Sequence, residues 1–595
     1  VSLLALAPVP SDPAGQIAGD MVRLAPLVII SAWSLLLLLT DAFASATLRV
    51  FQRRLALVGV GLAASAALVM FGDPAFDSGK KVFFAFLVVD QFSLLIDLGV
   101  LLAVAAVLLF AGDFARSHKF EYGEQEALVL IAAAGMMMLG HANDLVTIFL
   151  GIETMSIAVY VMVGARWNSK RSSEAALKYF LMGAFASAVL LMGIALLYGA
   201  LGTTRLDEVA SNVAVVFTKW GGAQPWVEVL EKPGSLPNGV LAQAHDRAVA
   251  GMAPAALFVP GMLMLLAALL FKVGAVPLHM WVPDVYDGAP TPTTAFMASG
   301  VKLAGVAALL RVFVGCLHQG RLVNAPYGWV DAVALVALLS MTVGNLAAIR
   351  QSNVKRLLAY SSIAHVGYLL VGVVAAGNLY GHSMMGASLV AADQTKWAYA
   401  TGDAAVSAVL YYTVTYAIAT IGTFATVSWL GSQRREALRI DQWAGLASHH
   451  PGVALSMTVC VLSLMGLPPL AGFFGKLYVF RVAFENGNPA LRYLVVAALV
   501  NSVIGAYYYL RLIVAMYLRP SLGEPETLPD SGAKHVVTLA AIATLVAGIA
   551  ANQVFRATDL AARGFAYPHE SDNKTKWVGE LRSPGSVQPT DAEQP

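Results

Sequence analysis

Apolar residues in this chain come in runs of about 20, the length that crosses a bilayer as a helix, separated by polar connections. About fourteen runs meet that criterion: 23–41, 54–71, 91–112, 126–141, 143–164, 173–200, 255–276, 291–316, 330–349, 356–376, 404–430, 452–484, 492–518 and 535–553. The first is long for a signal-peptide core, has no clear small-residue cleavage site after it and is followed by further runs, so it reads as a first spanning helix. The pattern predicts an all-α integral membrane protein. The longest connection, 203–254, holds Trp220, Pro225, Trp226 and Pro233 but no run long enough to span, and a short interfacial helix is expected there. Beyond about Arg556 the chain is polar and is expected to be a mobile tail.

Two of the runs are interrupted. Residues 271–302 read FKVGAVPLHMWVPDVYDGAPTPTTAFMASGVK. Pro277, five residues after Lys272, has no N–H to give a helix ladder. The residues before Pro283, Pro290 and Pro292 are pushed towards extended backbone. The expectation is a helix that arrives with Lys272, a break, a short connection, and a new helix from near Pro292 that carries Lys302. Residues 466–476, GLPPLAGFFGK, repeat the theme with Lys476. The two breaks are five helices apart, and five is odd. Helices 4–8 and 9–13 would then be two inverted copies, with helices 7 and 12 broken, as in transporters whose site lies at paired broken helices. The resulting layout is 1–125 for the first three helices, 126–317 for repeat one with its extended 203–254 loop, 318–518 for repeat two, 519–555 for the last helix and 556–595 for the tail.

Composition agrees with a lipid environment. The chain is 58% hydrophobic and 12% charged, about half the charge of a soluble domain. Its net charge of +2 is too small to point to nucleic acid. Cys316 and Cys460 are far apart in apolar runs and read as inert core thiols. Basic residues mark one side of the membrane: Arg49, Arg53 and Arg54; Arg166, Lys170 and Arg171; Arg350, Lys355 and Arg356; and Arg434, Arg435 and Arg439. These connections belong on the cytoplasmic side, which puts both termini outside.

Charges inside the runs carry the candidate chemistry. Glu153 lies about ten residues into its helix and Lys302 at similar depth, near mid-bilayer. Lys178 is about a turn and a half into its helix, and Lys272 and Lys476 adjoin the breaks. A central charge costs about 2.5–3.5 kcal/mol on insertion scales, so five of them need a reason. Lys178 reads equally as a snorkelling side chain, and Glu153 and Lys302 also fit a structural ion pair. Lys272 and Lys476 admit the snorkelling reading too. The functional alternative is a proton relay. Burial disfavours an ammonium and a nearby carboxylate restores it, so movement of Glu153 relative to Lys178 would switch proton affinity, with Lys272, Lys302 and Lys476 further along. His365, accompanied by Ser361, Ser362 and Tyr368, is either a hydrogen-bonded core histidine or a relay member. His279 reads as fixing the Pro-rich connection. No phosphate loop, His/Cys metal cluster or helical His pair for haem is present, and GVGLAA at 59–64 lies inside a helical run with no strand before it.

Lys272, the following PLHMWVPDVYDGAPTP and Lys302 closely resemble the subunit N family of proton-pumping NADH:quinone oxidoreductase, respiratory complex I. Gly151-Ile-Glu153, Ala176-Leu-Lys178-Tyr-Phe, the segment from Tyr360 to His365 and Gly466 to Lys476 support the match. The VYDGAPTP form separates this family from subunits L and M and from multisubunit cation/proton antiporters, the alternative reading. The resemblance implies fourteen helices with inverted repeats. It also implies a membrane-centre axis of Glu153, Lys178, Lys272, Lys302 and Lys476, driven by quinone reduction elsewhere. It implies further that the chain itself binds no cofactor, with NADH, FMN, iron–sulfur clusters and quinone in other subunits. The implied partners are the other membrane subunits, lipid and protons, with no nucleic acid; the implied location is a bacterial inner membrane. A third reading is an assembly scaffold whose charges are structural pairs.

Overall fold

The computed structural model describes residues 13–43, 49–77, 79–120, 124–219, 240–318, 322–323, 328–386, 392–431, 436–521, 523, 526–528, 532–563 and 565. Among them the chain is a helical bundle. A short helix α1 (Pro13–Arg23) leads into α2 (Ala25–Phe43) and α3 (Arg49–Met70). A small antiparallel hairpin, β1 (Lys80–Val82) and β2 (Leu87–Val89), follows; the apolar pattern gave no sign of it. Then come α4 (Gln91–Ser117), α5 (Glu124–His141), α6 (Leu145–Val163), α7 (Lys170–Leu201), α8 (Leu206–Lys219) and α9 (Val240–Val273). After the first break stand α10 (Trp281–Gly288) and α11 (Thr291–Cys316). The second half holds α12 (Trp329–Ile349), α13 (Val354–Gly386) and α14 (Ala392–Trp429). The interrupted pair α15 (Pro451–Met465) and α16 (Ala471–Glu485) follows, then α17 (Pro489–Leu518), α18 (Gly532–Ile549) and α19 (Ala551–Ala562).

Twelve helices among the described residues are long and apolar enough to cross a membrane. Two further expected spans take other forms. Run 126–141 is α5, whose first turn carries Glu124 and Glu126, and run 452–484 is split into the two 15-residue halves α15 and α16. The helices begin where local chemistry dictates. Asp90 and Ser93 form a reciprocal capping box at α4, and the Asp144 carboxylate caps α6 through the Val146 N–H, each worth about 1 kcal/mol. With no hydrophobic force between spans in lipid, close backbone approach holds the bundle together. A Cβ on Gly135 would lie 2.5 Å from the backbone nitrogen of Met155, and one on Gly193 would lie 2.9 Å from the carbonyl oxygen of Gly261. At the centre stands α11, buried along its whole apolar window, with α13 and α14 nearly so.

Three expectations need correction. The connection after Lys272 is itself helical: α10 takes Pro283 in its first turn, where a missing N–H is harmless. The packed chain runs past Arg556, because α19 continues to Ala562 and Phe565 is buried against the Phe92 ring at a centroid distance of 4.6 Å. In the 203–254 connection, Leu206–Lys219 is helical as expected, but α9 already begins at Val240; Trp220, Pro225, Trp226 and Pro233 lie outside the described residues.

Candidate functional site

At the first break Gly274 takes φ +79°, a conformation that suits glycine, and closes the end of α9 by donating to the carbonyl of Leu270. The N–H of Val276, freed by the break, donates to Ser340 Oγ at 2.9 Å, and the Trp281 indole donates to the carbonyl of Phe271 at 3.2 Å. The interrupted backbone is thus satisfied by protein, as a break at membrane depth requires. Lys272, in the last turn of α9, is 3% exposed and donates to Ser156 Oγ at 2.9 Å and Tyr160 OH at 3.4 Å. Glu153, Ser156 and Tyr160 are spaced i, i+3, i+7 on α6 and so share one face. Glu153 accepts a short hydrogen bond from Ser187 and is near enough to act electrostatically on Lys272.

The second group surrounds α11. Lys302, 4% exposed, donates to the carbonyl of Ser362 at 2.7 Å and to its hydroxyl, with the Tyr416 ring 5.5 Å away. Ser362 lies one turn before His365 on α13. His365 meets Tyr412 OH through Nδ1 at 2.7 Å and Tyr509 OH through Nε2 at 3.0 Å, and Tyr509 also meets Ser361. Lys476, 7% exposed, donates to the carbonyl of Met465 and to Ser502 Oγ, both at 2.9 Å, and stands over the Tyr368 ring. Lys302 and Lys476 both act electrostatically on His365. Among the described residues, Lys272, Lys302 and Lys476 form no ion pair; neutral oxygens hold all three. Amines held by neutral, hydroxyl-rich partners can gain or lose a proton without breaking an ion pair.

Lys178 lies elsewhere. Its side chain is 43% exposed and bridges Glu174 at 2.6 Å and Asp284 at 3.0 Å, in a cleft of about 230 Å³ that Arg171 and Arg356 also line. It does not pair with Glu153 here: its partners are Glu174 and Asp284, and its partly exposed ammonium reaches the surface as the snorkelling reading has it. Arg356 also binds Asp284 at 2.8 Å. Burial would raise the Asp284 carboxyl, but the hydrogen bonds and charges of Arg356 and Lys178 outweigh it and hold it below the usual range. His279 sits in the connection, its Nδ1 3.3 Å from the Pro277 carbonyl, as a loop-fixing role requires.

The chain pattern did not disclose the hydroxyl partners Ser156, Tyr160, Ser187, Tyr412, Tyr509 and Ser502. Only the α6 trio had a usable signal, in its helical spacing from Glu153. A further buried charge was also missed. Glu436 joins Arg166 at 3.1 Å, Lys355 at 3.4 Å and the Thr291 hydroxyl, while Lys355 also donates to the carbonyl of Ala289 at 2.7 Å. Among the described residues no three His, Cys, Asp or Glu side chains converge as a metal site would need.

The profile of the family described as NADH:quinone oxidoreductase/Mrp antiporter, TM, matches residues 142–391 and 394–505. NADH-quinone oxidoreductase subunit N 1 of Sorangium cellulosum is 40% identical over 547 residues, 90% of this chain and 97% of that protein. Subunit N of Myxococcus xanthus is 37% identical over 541 residues, 89% and 95% of the two chains. A chain of respiratory complex I from Thermus thermophilus with bound aureothin superposes with a TM-score of 0.66 at 32% identity, covering 90% of this chain and 99% of that one. A chain of the Mrp complex from Dietzia sp. DQ12-45-1b gives 0.69 at 18% identity over 95% and 99%, a likeness of fold alone.

Proposed function

The chain belongs to the subunit N family of NADH-quinone oxidoreductase, and on that premise we propose that it is an antiporter-like, proton-translocating membrane subunit of such a complex. Quinone reduction in other subunits supplies the free energy, and NADH, FMN, iron–sulfur clusters and quinone are bound there. The chain works beside other antiporter-like and small membrane subunits in a bacterial inner membrane. Both termini face the outer side, since the basic connections face the cytoplasm. Fourteen spans in two inverted repeats, 126–317 and 318–518, organise it around the paired breaks.

The observation that carries this reading is the three buried lysines held by neutral oxygens. A scaffold would be expected to match its buried ammonium groups with carboxylates; Lys272, Lys302 and Lys476 are held by hydroxyls and carbonyls instead. Glu153 shares one face of α6 with Ser156 and Tyr160, the partners of Lys272, and His365 lies one turn from the Lys302 partner Ser362 and edge-on to Tyr368, over which Lys476 stands. Lys178, in the charged cleft on the basic side, serves proton uptake. The discriminating variant is Lys272→Ala in the native membrane, scored together for assembly, electron transfer to quinone and proton uptake. Intact assembly with both activities reduced is expected. Full electron transfer and full pumping would make Lys272 structural and bring the scaffold reading forward.

A further inference from the structure

A second buried acid–base pair lies apart from the buried lysines. Asp97, two turns into α4, and His141, the last residue of α5, are both 0% exposed. His141 Nε2 is 2.9 Å from Asp97 Oδ2, and its Nδ1 is 3.0 Å from the carbonyl oxygen of Val88 in the hairpin. A carbonyl can only accept, so Nδ1 carries a hydrogen. One proton then lies between Nε2 and Oδ2, and the pair is neutral whichever atom holds it. The remaining oxygen, Asp97 Oδ1, is buried and has no hydrogen-bond partner among the described residues. A pair serving only to pin two helices would be expected to satisfy both oxygens.

The neighbouring charges are already engaged with each other. Arg311 binds both oxygens of Asp90 at 2.7 Å, donates to the carbonyl of Gly140 at 3.0 and 2.9 Å, and stands over the rings of Phe92 and Phe565. They provide a constant field around a site that can change its own charge. Its position relative to Lys302 follows from helix contacts. Gly99, two residues beyond Asp97, lies so close to Leu303 that a Cβ there would be 2.5 Å from Leu303 Cδ2. Arg311, bonded to Asp90 at the start of α4, is nine residues further along α11 than Lys302, roughly 13 Å. Asp97 therefore lies between these two levels, on the side of the membrane away from the basic connections.

We propose that Asp97 and His141 form a proton-holding site on the release side of the buried lysines. This inference rests on the reading of the chain as a proton-translocating subunit. The proton leaves the Lys302 ammonium, which becomes a neutral amine, and travels through water to bond Asp97 Oδ1. The pair then carries one positive charge, with the original proton still between Oδ2 and Nε2. The proton later leaves Oδ1 towards the hairpin side, and the pair is neutral again.

The test uses the whole complex in proteoliposomes. Asp97→Asn keeps the geometry, since the amide can donate to His141 Nε2, but removes the carboxyl that takes the proton. Normal assembly with proton translocation lowered by about tenfold or more is expected, with Asp97→Glu retaining most of it. Wild-type pumping in Asp97→Asn overturns the inference. Lys302→Met run alongside separates the two readings: if it stops pumping and Asp97→Asn does not, only the proton-holding site falls, and if neither variant matters, both fall. If Asp97→Asn does not assemble, infrared difference spectra of the turning-over wild type and Asp97→Glu complexes decide. A carboxylic C=O band that shifts between them is expected, and no such band would overturn the proposal.

Discussion

The two breaks look alike along the chain and are held differently. At the first, Lys272 stands before the interruption and takes no part in closing it; Gly274, Ser340 and Trp281 do that. Ions then tie its surface end to the second half of the molecule: Asp284 to Arg356, Asp287 to Asn353, and Thr291 to Glu436, which Lys355 and Arg166 surround. At the second, Lys476 stands after the interruption and donates to the carbonyl of Met465, the last residue of the preceding half. The remaining closure is Gly466, at φ +92°, and the Ser463 hydroxyl accepting from the Gly472 N–H at 3.0 Å. So one lysine rests in a frame built by other residues, whereas the other is part of its own frame. Protonation of Lys272 can change without touching its break, but at Lys476 the same event also alters a backbone cap.

Four experiments sharpen or break this contrast. The largest stability effect is expected from Glu436→Gln, which leaves the buried Lys355 and the half-buried Arg166 without their carboxylate, at about 3–5 kcal/mol; thermal unfolding in detergent would read it, and an unchanged Tm would show that the ions do not hold the first break. Next is Lys476→Met, which should lose pumping and also about 1–3 kcal/mol of stability through the stranded Met465 carbonyl. Lys272→Met should lose pumping to a similar degree with little change in Tm, because Ser156 keeps its own bond to the carbonyl of Ile152 at 2.5 Å. Equal destabilisation by the two lysine variants would erase the distinction. Ser463→Ala should cost the second break about 1 kcal/mol, visible as a small Tm shift with pumping retained.

The Glu436 latch also has a pH signature. Burial would push its carboxyl up, but the charge of Lys355, the Thr291 hydroxyl and Arg166 outweigh burial and hold it below the usual glutamate range. A depressed carboxyl contributes stability above its unfolded value, about pH 4 to 5, and that stability is lost as pH falls through the lower folded value. Thermal stability should therefore drop on acidification below that range, and Glu436→Gln should flatten the drop.

Membrane helices are legible because their spans need no partner to declare themselves: about 20 apolar residues, and a proline where the ladder must stop. The residues flanking Lys272 and Lys476 announced both breaks, and the charges themselves named the candidate relay. The helical form of 281–288 was obscured by Pro283 and the prolines on either side, and the packing of Phe565 by the polar residues around it. For Lys178 the sequence leaves open a snorkelling side chain or a switch with Glu153. In the fold its long stem carries the ammonium to Glu174 and Asp284, a direction that depth along a helix does not specify.

Sequence alone determined the membrane class, the two interruptions beside Lys272 and Lys476, and which charges are set in lipid-length runs, because these follow from hydropathy and backbone chemistry within a few neighbours. Only the tertiary structure decided what each ammonium touches. Ser156 and Lys272 are 116 residues apart, Lys302 and Ser362 are 60 apart, and Asp97 and His141 are 44 apart. Hydrogen bonds between helices are set by how the bundle packs, and packing in lipid depends on close backbone contacts such as Gly135 against Met155, which no local pattern encodes.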